Sequence, residues 1–139
     1  MSDQASVPTI LIVEDQPANM LLARAALQRG GYQTLEAADA DEARACLEET
    51  RPDLILMDIG LPGQDGLSLT RELKDAPETA DIPIVVLTAH AMRADEERAR
   101  AAGCDGYLAK PFSPRELVAK VAELLETAAA RRSPETPGS

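Results

Sequence analysis

Aromatic side chains are almost missing from this chain of 139 residues: two tyrosines, one phenylalanine and no tryptophan, 2% in all. Hydrophobic residues nevertheless make up 45%, so any core must be aliphatic. One histidine and two cysteines far apart in sequence cannot assemble a zinc centre or a disulfide framework. Cys46 and Cys104 read instead as small hydrophobes, buried or half-buried. No apolar stretch approaches the roughly 20 residues of a membrane span. The start, Met1-Ser2-Asp3-Gln4, lacks the basic and apolar regions of a secretory signal, so a reduced cytoplasmic protein is expected. Basic residues are the minority, 14 against 24 acids, and the net charge of −10 disfavours nucleic acid. Most of that charge belongs on solvated helix faces. The length suits one domain with a single core.

What is present is an alternation. Apolar runs and helical patterns follow each other five times, which predicts βα units around a parallel sheet. Strands are expected at 9–13, 32–36, 53–57, 82–87 and 105–108, and helices at 17–29, 39–50, 66–75, 91–102 and 114–127. The runs at 54–57 and 84–87 are solidly apolar, as in central strands, whereas Gln33–Glu36 alternates, as nearer an edge. Ser113-Pro114-Arg115-Glu116 has the form of a capping box with proline at the first helical position, and Asp39 with Glu42 is a second, plainer cap. Gly30-Gly31 and Gly103 supply left-handed residues at helix ends. Leu117, Val121 and Leu124, joined by Val118 and Leu125, form the face of the last helix that packs on the sheet. Residues 1–7 read as an extension, 8–127 as the domain, and 128–139 as a frayed helix end and disordered tail.

The chemistry collects at strand ends. Glu14-Asp15 follow the first apolar run, Asp58 the third, Thr88 the fourth, and Lys110 the last. In an open α/β sheet these positions share one rim, where ligands bind. Three acids, a hydroxyl and an ammonium suit a divalent cation and a phosphoryl group. A hard cation such as Mg²⁺ would take Asp15 and Asp58 directly, Glu14 through water and the backbone carbonyl of Gly60. Asp58 could then attack phosphorus to give an aspartyl phosphate, with Lys110 and Thr88 sharing the charge on the phosphoryl oxygens. The chain has no GxxxxGK[ST] loop, so the phosphoryl donor must come from elsewhere.

Glu14-Asp15, Asp58, Thr88-Ala89 and Lys110-Pro111, each in place, resemble the signature of two-component receiver domains over about residues 8–126. Val13–Asn19, Leu54–Pro62, Thr88–Met92 and Asp95–Arg98 look most like stand-alone receivers of the DivK type, with receivers of phosphorelay hybrid kinases next. The resemblance implies a flavodoxin-like, doubly wound five-stranded sheet in the order 2-1-3-4-5, with helices on both faces. It implies that a histidine kinase or histidine phosphotransfer protein donates to Asp58, that Mg²⁺ is required, and that the acyl phosphate hydrolyses slowly by itself. It makes Thr88 and Tyr107 the switch pair, with the fourth helix, fifth strand and fifth helix as the surface read by a downstream protein. It suggests Asn19, Leu22 and Phe112 as a donor-docking rim, a cis Lys110–Pro111 bond, and a monomer or weak homodimer. Position 60 departs from the family, which usually has a larger residue than glycine there. His90, the sole histidine, reads as a loop residue rather than a phosphodonor.

Other classes fit less well. A receiver belonging to a hybrid kinase remains an alternative. An aspartate-nucleophile phosphatase needs a second acid two residues on, but Asp58-Ile59-Gly60 lacks it. A flavodoxin-like electron carrier needs a hydroxyl- and glycine-rich loop after the first strand and aromatics, and has neither here.

Overall fold

A computed structural model describes residues 7–61, 63–89 and 93–132, without the side chains of 93, 131 and 132. His90 and Pro62 lie outside the described residues. Five strands, β1 (Thr9–Val13), β2 (Gln33–Ala37), β3 (Leu54–Asp58), β4 (Ile84–Thr88) and β5 (Gly106–Ala109), alternate with five helices. The helices are α1 (Pro17–Arg29), α2 (Ala40–Glu49), α3 (Gly66–Asp75), α4 (Arg93–Ala101) and α5 (Pro114–Arg132). All strand pairs are parallel and the sheet order is β2-β1-β3-β4-β5.

Period-two alternation sends neighbouring side chains to opposite faces, and each face has its own core. Ile10, Ile12, Leu54, Leu56, Val85 and Leu87 pack under Met20 and Leu27 of α1 and Leu117 and Val121 of α5. Leu11, Val13, Ile55, Met57, Ile84 and Val86 meet Ala43, Leu69, Leu73 and Ala99 from the other three helices. Buried on both faces, β3 and β4 have no exposed residue, while β2 at the edge buries only Ala37 and exposes Gln33 and Glu36. That is the contrast their sequences predict.

Four of the five strands begin and end later than their apolar runs suggest. Asp58 and Thr88 are the last ladder residues of β3 and β4, opposite Leu87 and Ala109, rather than the residues just beyond. Side-chain polarity marks where the apolar run ends, whereas burial and backbone pairing continue one residue past it. The start of β4 moves from 82 to 84 because Pro83 has no N–H to give the ladder. The last helix also runs past its expected end at 127 and continues to Arg132. Ala128 is buried there, and alanines propagate a helix well. Residues 133–139 lie outside the described part.

The caps form as read. The Ser113 hydroxyl accepts from the Glu116 N–H at 3.0 Å, and Glu116 accepts from the Ser113 N–H at 2.8 Å. Asp39 caps the Glu42 N–H at 2.8 Å. Ser113→Ala is expected to cost about 1 kcal/mol, seen as a melting point lower by roughly 4 °C in circular dichroism. An unchanged melt would mean that α5 starts without this cap.

At the end of the sheet away from the acids, Lys74 fastens two loops. Its ammonium reaches Asp105 at 2.7 Å and donates to the Ile82 carbonyl at 2.9 Å, while Asp105 accepts from the Ile84 N–H at 2.9 Å. This ties the start of β4 to the turn before β5.

Candidate functional site

The C-terminal ends of β1 and β3 bring three carboxylates together. Glu14, Asp15 and Asp58 each offer an oxygen within 4.8 Å of the others. Glu14 is 3% exposed and Asp58 6%, so neither carboxylate is relieved by bulk water. Lys110, in the turn after β5, stands between them with its ammonium 3.2 Å from Glu14 Oε1 and 3.2 Å from Asp58 Oδ1. The Gln16 N–H gives Glu14 Oε2 a further bond of 3.2 Å. Asp15 is half-buried, on the open side.

Burial pushes the Glu14 carboxyl above its ordinary range, and the adjacent Asp58 charge adds to the push. The Gln16 N–H and Lys110 pull it back in part. For Lys110, burial alone would weaken the ammonium, but Asp58 and Glu14 overcome this and hold it above its usual value. Among the described residues, one cation for three acids leaves the cluster short of positive charge. A hard divalent ion fits that deficit, since the donor set is all oxygen and mostly carboxylate.

The remaining expected residues fall around this centre. Thr88 ends β4 next to β3 and is buried. Tyr107, on β5 opposite Val86, is half-buried against the core beside α4 and shares a hydrogen bond with Thr88. Burial raises its phenol, Asp95 and Glu96 raise it further, and the Thr88 bond opposes them. Asn19, Leu22 and Phe112 line a cavity of 380 Å³ together with Glu14 and Lys110. Leu22 and its neighbour Leu21 are exposed at 45% and 55%. Gly60 is exposed, and a Cβ there would meet nothing within 4 Å, so packing does not demand a glycine. The Lys110–Pro111 bond is cis.

One contributor is not evident from the sequence. Gly66 opens α3 directly against the end of β3, and its N–H donates to the Ile59 carbonyl at 2.9 Å. A Cβ at position 66 would sit 2.1 Å from the Asp58 carbonyl oxygen and 2.9 Å from the Ile59 Cα. Nothing around Gly66 in the sequence signals that approach, because it follows an ordinary Asp65 cap. Backbone cannot swing aside as a side chain can, so Gly66→Ala should cost about 3 kcal/mol by overpacking. The melting point should fall by roughly 10 °C. A melt within two or three degrees of the parent, an allowance of about 1 kcal/mol, would show that the contact relaxes freely.

A five-stranded 2-1-3-4-5 sheet carrying this site at its rim is the build of a CheY-like signalling receiver. The chain belongs to the response regulator receiver domain family, which it matches over residues 10–122. It is 47% identical over 105 residues to the polar-differentiation response regulator DivK of Brucella anthropi, covering 76% of this chain and 85% of that protein. It is 44% identical over 117 residues to the phosphate regulon transcriptional regulatory protein PhoB of Pseudomonas aeruginosa, covering 84% of this chain but only 51% of PhoB. Among solved structures, a CheY-like receiver domain protein of Methanospirillum hungatei superposes with a TM-score of 0.83 at 30% identity, covering 91% of this chain and 99% of that one. The receiver domain of the sensor histidine kinase PA1611 of P. aeruginosa, with a magnesium ion coordinated in its active-site cleft, gives 0.76 at 38% identity, covering 90% and 99%. Among the described residues no helix is long and apolar enough to cross a membrane.

Proposed function

We propose that this chain is a cytoplasmic phosphoacceptor that takes a phosphoryl group onto Asp58 from a phosphohistidine and signals through a protein partner. The observation that carries this reading is the bridging of two buried carboxylates by one ammonium, 3.2 Å to each. Lys110 engages Oδ1 of Asp58, which leaves Oδ2 as the nucleophile. Oδ2 attacks phosphorus, the O–P bond forms, and the N–P bond of the donor histidine breaks. The imidazole leaves with the bonding pair and is neutralised by a solvent proton.

Lys110 then holds a phosphoryl oxygen instead of the carboxylate, and the Thr88 hydroxyl donates to another. Mg²⁺, held by Asp15, Asp58 and the Gly60 carbonyl and by Glu14 through water, would supply the positive charge that one lysine cannot. Attack of water on the same phosphorus returns the carboxylate slowly, so the protein is not a turnover enzyme. When Thr88 turns to the phosphoryl group it gives up its bond with Tyr107, which biases the α4–β5–α5 surface toward the form a downstream protein reads. The exposed Leu22 and half-buried Phe112, together with the half-buried Asn19 amide, form a mixed polar and apolar rim beside Lys110 on which a helical phosphodonor can dock.

Intact-mass spectrometry after incubation with a small acyl phosphate tests this reading. One added phosphoryl group is expected with Mg²⁺ and none after chelation. Repeated hydrolysis of a phosphate monoester without an accumulating adduct would instead favour a phosphatase.

A further inference from the structure

Helix α2 packs on β1 and β2, and α3 on β3 and β4, leaving a seam between two helices on one face of the sheet. Arg44 of α2 crosses it. Its Nε donates to Glu72 Oε2 at 2.8 Å and its Nη2 to Glu72 Oε1 at 2.8 Å, a bidentate pair with α3. The same Nη2 donates to Gln64 Oε1, and Gln64 Nε2 returns a bond to Glu72 Oε1 at 3.2 Å. Nη1 reaches Asp41 at 3.0 Å. Arg44 and Gln64 together hold the Glu72 carboxyl down to about 2, so the clamp stays ionised under ordinary conditions.

The position of Gln64 gives the clamp its meaning. It lies in the loop that leads from Asp58 to α3, and that loop contains Gly60 and Gly63. A Cβ on either glycine would meet nothing within 4 Å, and Gly63 has a φ of +79°. Packing therefore constrains these two positions weakly. Leu61 buries itself, and Asp65 and Gly66 pin the far end through the α3 cap and the Ile59 carbonyl; among the described residues between Leu61 and Asp65, the amide of Gln64 ties the loop to its surroundings.

We propose that Arg44 is a positioning residue of the phosphoacceptor site, its guanidinium fork holding Gln64 and so the Gly60-bearing loop in the form that receives a divalent cation. The inference rests on the reading of Glu14, Asp15 and Asp58 as a cation site. Without the clamp the loop samples more conformations, and binding must select among them, which weakens affinity. Residues that orient a metal site from outside its ligands typically change affinity ten-fold or more. Acting one step further away, Arg44 should contribute about five- to ten-fold.

The test titrates MgCl2 into the full chain and follows amide chemical shifts of residues 58–61 and 63–66, alongside thermal melts. Arg44→Ala and Gln64→Ala are each expected to bind Mg²⁺ about five- to ten-fold more weakly at a temperature where both are fully folded. Gln64→Ala keeps the Arg44–Glu72 pair, so its melting point should stay near the parent's. Arg51→Ala is the control, since Arg51 fastens a different loop by donating to the Glu78 carbonyl at 2.7 Å. It should bind Mg²⁺ like the parent. A Gln64→Ala chain with parental affinity, or an Arg51→Ala chain weakened as much as Arg44→Ala, would overturn the clamp alone. A parent chain that takes up no Mg²⁺ would overturn the cation-site reading and the clamp with it.

Discussion

Asp58→Asn is expected to yield a chain that gains no phosphoryl mass and yet melts higher than the parent in metal-free buffer. The amide keeps the shape of the side chain but has no anionic oxygen to attack phosphorus, so the chemical step is lost outright. The stability gain has a separate cause. Asp58 is the second contributor, after burial, to the raised Glu14 carboxyl, so the two acids oppose each other in the folded protein. Removing one relieves that repulsion and leaves Lys110 to Glu14, which keeps its Gln16 N–H, a gain of about 1 kcal/mol and of roughly 4 °C. Added Mg²⁺ should then stabilise the variant less than the parent. A variant that melts below the parent would show that the acids are not in conflict.

Lys110→Met should separate two roles that one ammonium holds. Phosphorylation is expected to slow about a hundred-fold, the usual loss when a charged donor to a transition state is removed. Mg²⁺ affinity should hold or rise, because Lys110 sits 3.2 Å from two of the carboxylates and repels an incoming cation. Rates from intact-mass time courses and affinities from MgCl2 titration give the two numbers. Loss of both together would mean that Lys110 supports the fold of the site rather than the transferring group.

Most of the architecture was legible because burial on both faces leaves a plain trace. The solidly apolar Leu54–Met57 and Ile84–Leu87 suggested central strands and are fully buried, and the mixed Gln33–Glu36 suggested a strand nearer an edge and lies in the edge strand. The acids and Lys110 were legible because a parallel sheet puts every strand end on one rim, so order along the chain becomes proximity in space. Glu14 differed in rank: expected to act only through water, it is the most buried of the three and the one bonded to both Lys110 and Gln16. Helix α5 ran long because Ala128 found a buried place, a tertiary effect that composition does not carry.

The features that escaped the sequence share one cause. Gly66 against the Asp58 carbonyl, Arg44 between Glu72 and Gln64, and Lys74 on Asp105 depend on atoms far apart in the chain meeting at bonding distance. They carry no period and no motif. A charged residue on a helix reads as solvated until its partner is seen.

Reductive trapping gives the most direct measurement of where the phosphoryl group goes. Borohydride converts an aspartyl phosphate to homoserine, and peptide mass mapping locates it. Homoserine at position 58, formed only when Mg²⁺ and the phosphodonor were both present, is the predicted result. Homoserine at position 15, or at any other carboxylate with residue 58 intact, would contradict it.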